Sequence, residues 1–239
     1  MDDEVEIRRY MSFDKFYSLL HTKMLFMPNT TSLGDLGEGT VYSSYFKDML
    51  QNNGSELALA GKEPFDKMAV QYAKLKLMDN EQHRKSVFIS SWTKDEKENF
   101  GLWKNYLGNQ SEGVCIVTTN KQLIMSIDNS LVDHFRFGEV LYHYNVAKND
   151  PYFEKDEHYD YEKEYRAVFD CSTLGDMKLT YELQSKLKGG VFVDVNLQDL
   201  ILGVTVSPFA KVLPNHIIES LLQSFDIDAH VVGSRVREK

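Results

Sequence analysis

The chain has 239 residues, 42% hydrophobic and 26% charged, enough to bury a full core at the upper edge of one domain. A net charge of −9 argues against a large nucleic-acid footprint, which relies on clustered Lys and Arg; Arg235, Arg237 and Lys239 read as a solvated tail. No apolar run approaches the roughly 20 residues that cross a bilayer, and the acidic start Met1-Asp2-Asp3-Glu4 is unlike a secretory signal, so no membrane partner is expected.

Val5 to Met11 reads as a first strand, carrying Arg8, Arg9 and Tyr10. Ser12 is the expected N-cap of a helix whose apolar face is Phe13, Phe16, Tyr17, Leu20 and Met24. Leu25-Phe26-Met27 resumes an extended run ended by Pro28. Residues 32–39 form a loop whose glycines permit positive φ. Residues 40–85 read as a mainly helical insertion, with a turn at Asn52-Asn53-Gly54 and better periodicity from Phe65 to Met78.

Ser86 to Trp92 is a strand, followed by a helix capped by Asp95 with Phe100, Trp103 and Leu107 on one side. Gly113 to Val117 is a buried strand, Lys121 to Ile127 a short helix, and Phe135 to Tyr144 a strand. After a charged loop at 149–159, further strands are expected at Tyr161 to Cys171, Val191 to Val193, Leu200 to Val206 and His230 to Val232, with a helix over Asn215 to Phe225. Strands without regular intervening helices predict an α+β fold: a single domain over 1–239, with a mixed or antiparallel sheet flanked by helices. Cys115 and Cys171 sit in apolar strands and read as buried free thiols, which fits a reducing cytoplasm.

The segment Tyr161-Glu162-Lys163-Glu164-Tyr165-Arg166 holds the densest chemistry. As a strand it puts Glu162, Glu164 and Arg166 on one face, the carboxylates about 7 Å apart. A solvated edge strand would account for this. Paired carboxylates also stabilise positive charge at an anomeric carbon or hold a divalent metal. The seven histidines are scattered without zinc spacing, and neither a Walker nor a Rossmann glycine motif occurs.

Several stretches resemble a bacterial and phage family known as domain of unknown function 2971. They are Arg9-Tyr10 closing the first strand, Asp35 and Glu38 in the polar loop, Ser90-Ser91, Trp103 to Tyr106, Gly113-Val114-Cys115-Ile116, the intact 161–166 segment and Ile201-Leu202-Gly203. The loop lacks the family's Asn, Pro and Phe, and 40–85 has no counterpart. The order of Arg9, then Ser90 and Ser91, then Glu162-Lys163-Glu164 is similar to the ADP-ribosyltransferase superfamily. That resemblance implies split sheets and NAD as substrate, with no metal. Arg9 would pair with a phosphate or ribose oxygen, and Ser90 or Ser91 with the nicotinamide ribose. Tyr10 or Trp103 would stack on a ring, and Tyr106 would lie in the same binding set. Glu164 would stabilise the oxocarbenium-like state and Glu162 would position or deprotonate an acceptor, protein or nucleic acid. The competing expectations are a metal-dependent nuclease using Asp35, Glu38, Glu162 and Glu164, and a non-enzymatic module whose acidic surface binds a basic partner.

Overall fold

The computed structural model describes residues 4–33, 37–42, 67–144, 148–175 and 189–236. β1 (Glu6–Ser12), α1 (Phe13–Thr22) and β2 (Met24–Pro28) open the chain. α2 (Lys67–Arg84) leads directly into β3 (Val87–Thr93), then α3 (Phe100–Leu107), β4 (Gly113–Thr119), α4 (Asn120–Ser126) and β5 (Phe135–Glu139). The short strands β6 (Leu141–Tyr142) and β7 (Glu154–Lys155) and a 3-10 helix at Glu157–Glu162 precede β8 (Glu164–Asp170). β9 (Gly190–Asp194), α5 (Leu197–Leu200), β10 (Gly203–Val206), α6 (Asn215–Ser224) and β11 (His230–Gly233) complete the described chain.

Among the described residues, seven strands make one sheet in the order β11-β10-β4-β1-β3-β8-β5. Every neighbouring pair is antiparallel except β10 with β11, so the sheet is mixed and the α+β expectation holds. Strand alternation sorts side chains onto two faces. Ile7 and Met11, Phe88 and Trp92, Val114 and Ile116, and Ala167 and Phe169 enter one large core. α1, α4, α5, α6 and the β2–β9 ribbon cover that core, through residues such as Phe16, Leu20, Leu123, Leu200, Ile218 and Val193. Their neighbours Tyr10 and Cys115 point the other way, against Leu102, Trp103 and Leu107 of α3, while Val87, Ile89 and Val168 pack on Tyr152. Both cysteines are buried and free, as expected.

Several local expectations are corrected. Ser12 occupies the N-cap position of α1, but its hydroxyl bonds the Asp14 carboxylate and no helix N–H. Tyr17 of α1 is exposed, and Leu19 takes its place in the core. Asp95 does not cap α3: the Asn99 side chain does, accepting from the N–H groups of Gly101 (2.9 Å) and Leu102 (3.2 Å). The strand expected over 135–144 is broken after Glu139: the Val140 N–H still meets the Glu164 carbonyl (2.9 Å) in register with the β5–β8 ladder, but the Glu164 N–H goes to the Tyr142 hydroxyl (2.7 Å) instead of returning to Val140. Leu200 closes α5, so the following strand starts at Gly203. The turn at 52–54 and the periodic stretch before residue 67 lie outside the described residues.

Candidate functional site

The sheet comes nearly apart at its middle. β1 faces β3 at a single pair, Arg8 with Thr93, whereas β1–β4 and β3–β8 each run in register over seven pairs. The Arg8 side chain pins this junction by donating to the carbonyls of Asp95 (3.1 Å) and Glu96 (3.2 Å). Beyond it the strands diverge and β2 approaches the freed edge of β3, where Asn29 bridges to Phe88. Arg9 spans the resulting notch. Its guanidinium donates to the Ser90 hydroxyl (2.5 Å) and the Phe26 carbonyl (3.1 Å), and lies 5.7 Å from the Trp92 ring centroid. Burial lowers Arg9 to about 10, which still leaves it a cation at neutral pH.

The two serines face opposite ways, as neighbours on a strand must. Ser90 is fully buried, and its oxygen also accepts from Trp92 Nε1 (3.0 Å). Ser91 looks to the other face, opposite Arg166 on β8.

The carboxylate segment departs from the expected geometry. Residues up to Glu162 belong to the 3-10 helix, and Lys163 takes a left-handed conformation (φ 44°) before β8 begins at Glu164. The physical reason is loss of a partner: β3 ends at Thr93, opposite Glu164, the Lys94 N–H makes one last bond to the Lys163 carbonyl (2.9 Å), and among the described residues no strand runs alongside 161–162. Glu162 and Glu164 meet nevertheless, their carboxyl groups hydrogen-bonded to each other.

The face that they share is buried and filled with counter-charge. Arg166, 1% exposed, donates to Glu164 through Nε (2.7 Å) and to Glu38 through Nη1 (2.6 Å) and Nη2 (3.1 Å). Its Nη1 also donates to the Tyr152 carbonyl at 2.7 Å. Lys155 Nζ lies 2.6 Å from Glu162, 3.0 Å from Glu164 and 3.6 Å from Glu38. Burial alone would raise the Glu164 carboxyl, but Arg166 and Lys155 outweigh it and hold it well below the usual carboxylate range. Glu162 moves the other way, to about 7, through burial and its bond to Glu164.

Of the three aromatic residues assigned to the binding set from the sequence, Tyr10, Trp103 and Tyr106, only Tyr106 is accessible. Tyr10 and Trp103 are 2% and 0% exposed and pack edge to face at 4.8 Å, so neither stacks on a ligand ring. The Tyr10 hydroxyl accepts from the Asn99 N–H (3.0 Å), and Trp103 Nε1 donates to Glu98 (3.2 Å). Tyr106, 45% exposed, lies parallel to Tyr10 on the next turn of α3.

Arg9, Tyr10, Ser91, Tyr106, Glu162 and Glu164 thus line one small cavity at the notch, about 10 Å³ in volume and little more than a water molecule's space. Arg9, Tyr10 and Tyr106 also border a groove of about 450 Å³ between α1 and β2. Met24, Leu25 and the exposed pair Phe26 and Phe192 (5.1 Å apart) form its apolar wall, and Lys15 adds a cation. On another side of Glu164 opens a cavity of about 610 Å³, bordered by Glu4, Glu6, Glu96, Glu139 and Asp160 against Lys94 and Lys163.

The carboxylates do not frame an open centre for a metal. Glu38, Glu162 and Glu164 gather around a guanidinium and an ammonium, which a divalent cation would have to displace, and Asp35 lies outside the described residues. Among the described residues no group of three His, Cys, Asp or Glu has metal-holding geometry. The residue that the sequence reading missed is Lys155, hidden in a run of charges that reads as solvated loop. Comparisons with protein-family models, with curated proteins and with solved structures found no match to this chain.

Proposed function

We propose that the protein is an NAD-dependent mono-ADP-ribosyltransferase-like enzyme. One observation carries the reading: Arg9, Ser91, Glu162 and Glu164, drawn from three strands and a 3-10 helix far apart in sequence, converge where a sheet splits between its first and third strands. The groove beside the notch suits a dinucleotide. Its apolar wall with Phe26 and Phe192 offers a surface for a flat ring, while Arg9 and Lys15 offer charge to phosphate oxygens. Tyr106 stands where the groove meets the carboxylates.

In this reading the glycosidic bond between ribose C1′ and the nicotinamide nitrogen breaks at the mouth of the notch. The bonding pair leaves with neutral nicotinamide, and the permanent negative charge of Glu164 stabilises the cation at C1′. The acceptor's lone pair then forms the new bond to C1′, and its proton passes to Glu162. A carboxyl at about 7 suits that exchange, because a general base works best near the operating pH. Proton transfer therefore falls to Glu162, with Glu164 as the fixed charge. The carboxylate-rich cavity beyond Glu164 would repel a phosphate backbone, so a protein side chain is the favoured acceptor.

Calorimetry with NAD and incubation with labelled NAD and lysate test the proposal. Wild type should bind NAD and transfer label; Glu162→Gln should bind NAD equally well and transfer about 10²–10⁴-fold more slowly. Absence of NAD binding would sink the reading, and full transfer by both Glu162→Gln and Glu164→Gln would remove the carboxylates from it.

A further inference from the structure

Glu162 is the last residue of the 3-10 helix and lies outside the sheet. The β3–β8 ladder ends at Glu164, and Lys163 turns the chain with positive φ just before it. The Glu162 side chain, 19% exposed, must therefore be aimed by what it touches, and it touches Glu164 and Lys155. Two carboxylates alone would repel each other. The third party decides their geometry.

Lys155 is built for that task. Its strand β7 is held beside β6 by the Leu141 N–H on the Phe153 carbonyl (2.9 Å) and the His143 N–H on the Lys155 carbonyl (3.1 Å). β6 is fastened to the site in turn, since the Tyr142 hydroxyl accepts from the Glu164 N–H at 2.7 Å. The ammonium lies 4.5 Å from the Tyr159 ring centroid, which limits where it can swing. The lysine is 7% exposed, and burying an ammonium is costly unless it is paired. Charge count makes the pairing specific: Glu38, Glu162 and Glu164 face Lys155 and Arg166, so the group balances when one carboxyl carries a proton.

We propose that Lys155 is the positioning residue of this site, a fixed buried ammonium that aims the Glu162 carboxyl at the notch and balances the negative charge it shares with Glu164. The proposal rests on the transferase reading for what Glu162 then does, but the arrangement itself can be tested without NAD. The charged and titratable groups facing Glu162 are Lys155 of β7, Glu164 of β8, Tyr142 of β6, Tyr106 of α3 and, across the small cavity, Arg8 and Arg9 of β1; Lys155 is the cation whose ammonium touches the Glu162 carboxyl (2.6 Å).

The experiment is a carboxyl-carbon NMR titration of the full chain, with Glu162 assigned through Glu162→Gln, in wild type, Lys155→Met and Lys155→Arg. Wild type should titrate near pH 7 at Glu162. Lys155→Met should move that midpoint upward by about one to three pH units, and Lys155→Arg should restore it. A folded Lys155→Met with an unmoved midpoint would overturn the proposal. Because Lys155→Met leaves the buried Glu38 and Glu164 and the half-buried Glu162 against one cation and is at risk of not folding, the Lys155 side-chain nitrogen is followed in wild type as well. Its resonance must shift with the midpoint of Glu162; a flat response overturns the proposal whatever the variant does. With NAD, Lys155→Met should lose about 10²-fold in kcat at unchanged KM, the mark of misaimed chemistry rather than lost binding. Wild type that fails to bind NAD but titrates as described would remove the transferase reading and leave Lys155 as the residue that aims Glu162.

Discussion

Arg166 illustrates how much one side chain holds. Its five contacts join β8 to Glu38, to Glu164 and to the Tyr152 carbonyl, with hardly any solvent access. Replacing it with Met leaves Glu38 and Glu164 buried beside a single ammonium, and urea denaturation should show a loss of about 3–5 kcal/mol. Adding Glu38→Gln should return part of that loss, because it removes one of the stranded charges. Glu162 behaves in the opposite sense. Its folded carboxyl is raised to about 7 from an ordinary 4.5, so its contribution to stability is present in full below pH 4.5 and is lost as pH rises through 7. Stability curves should therefore show Glu162→Gln matching wild type below pH 4.5, gaining over it between 4.5 and 7, and holding a constant advantage above 7. A pH-independent difference would contradict the raised carboxyl. At this scale Arg9 and Glu164 were picked out because each is a charge within an alternating strand, and Glu162 because it stands two residues from Glu164; Lys155 was not, because it lies in a charged run with no strand pattern to mark it.

At the scale of elements, small devices aim the site. α3 owes its start to Asn99, and the same residue's N–H holds the Tyr10 hydroxyl, so cap and stacked aromatics form one unit. Asn99→Ala should cost about 1 kcal/mol in thermal or urea unfolding. On the transferase proposal it should also weaken NAD binding by loosening Tyr106, whereas a change in stability alone would detach α3 from the groove. Glu38 depends on its neighbour Gly39, which has φ +68°; a Cβ there would lie 3.0 Å from the Tyr152 ring and 3.4 Å from Thr30. Gly39→Ala should cost about 1–3 kcal/mol by the same measurement. Strand existence was legible from alternation, but strand ends were not. The 161–171 pattern alternates throughout, yet β8 starts at Glu164 because a strand needs a hydrogen-bonding neighbour and β3 stops at Thr93.

For the whole molecule, acid is the expected weakness. Burial alone would raise Glu164 and Asp170. Arg166 and Lys155 at the first, and His83 and Ser172 at the second, hold both below their ordinary values. Such carboxylates contribute stability above the ordinary carboxylate range and lose it as pH falls through their folded values. Circular dichroism should accordingly show unfolding at a pH below ordinary carboxylate titration, shifted upward in Arg166→Met. The half-buried Asp170 also ties distant parts together: it accepts from His83 at the end of α2 (2.8 Å), and His83 in turn meets the Tyr152 hydroxyl (2.9 Å).

Local chemistry was enough to place the long strands of the sheet, though not their ends or the short β7, and to show that both cysteines are buried and that charge concentrates near residues 162–166. These follow from side-chain period and polarity, which act between neighbours in the chain. The splitting of the sheet between β1 and β3, the burial of Tyr10 and Trp103 and the opposed serines were decided by packing. So was the enclosure of Glu38, Glu162 and Glu164 by Arg166 and Lys155. Arg166 and Glu38 are 128 positions apart, and an ion pair at that separation leaves no periodic trace. It forms because charges removed from water must find one another, and which ones meet depends on where the folded strands end.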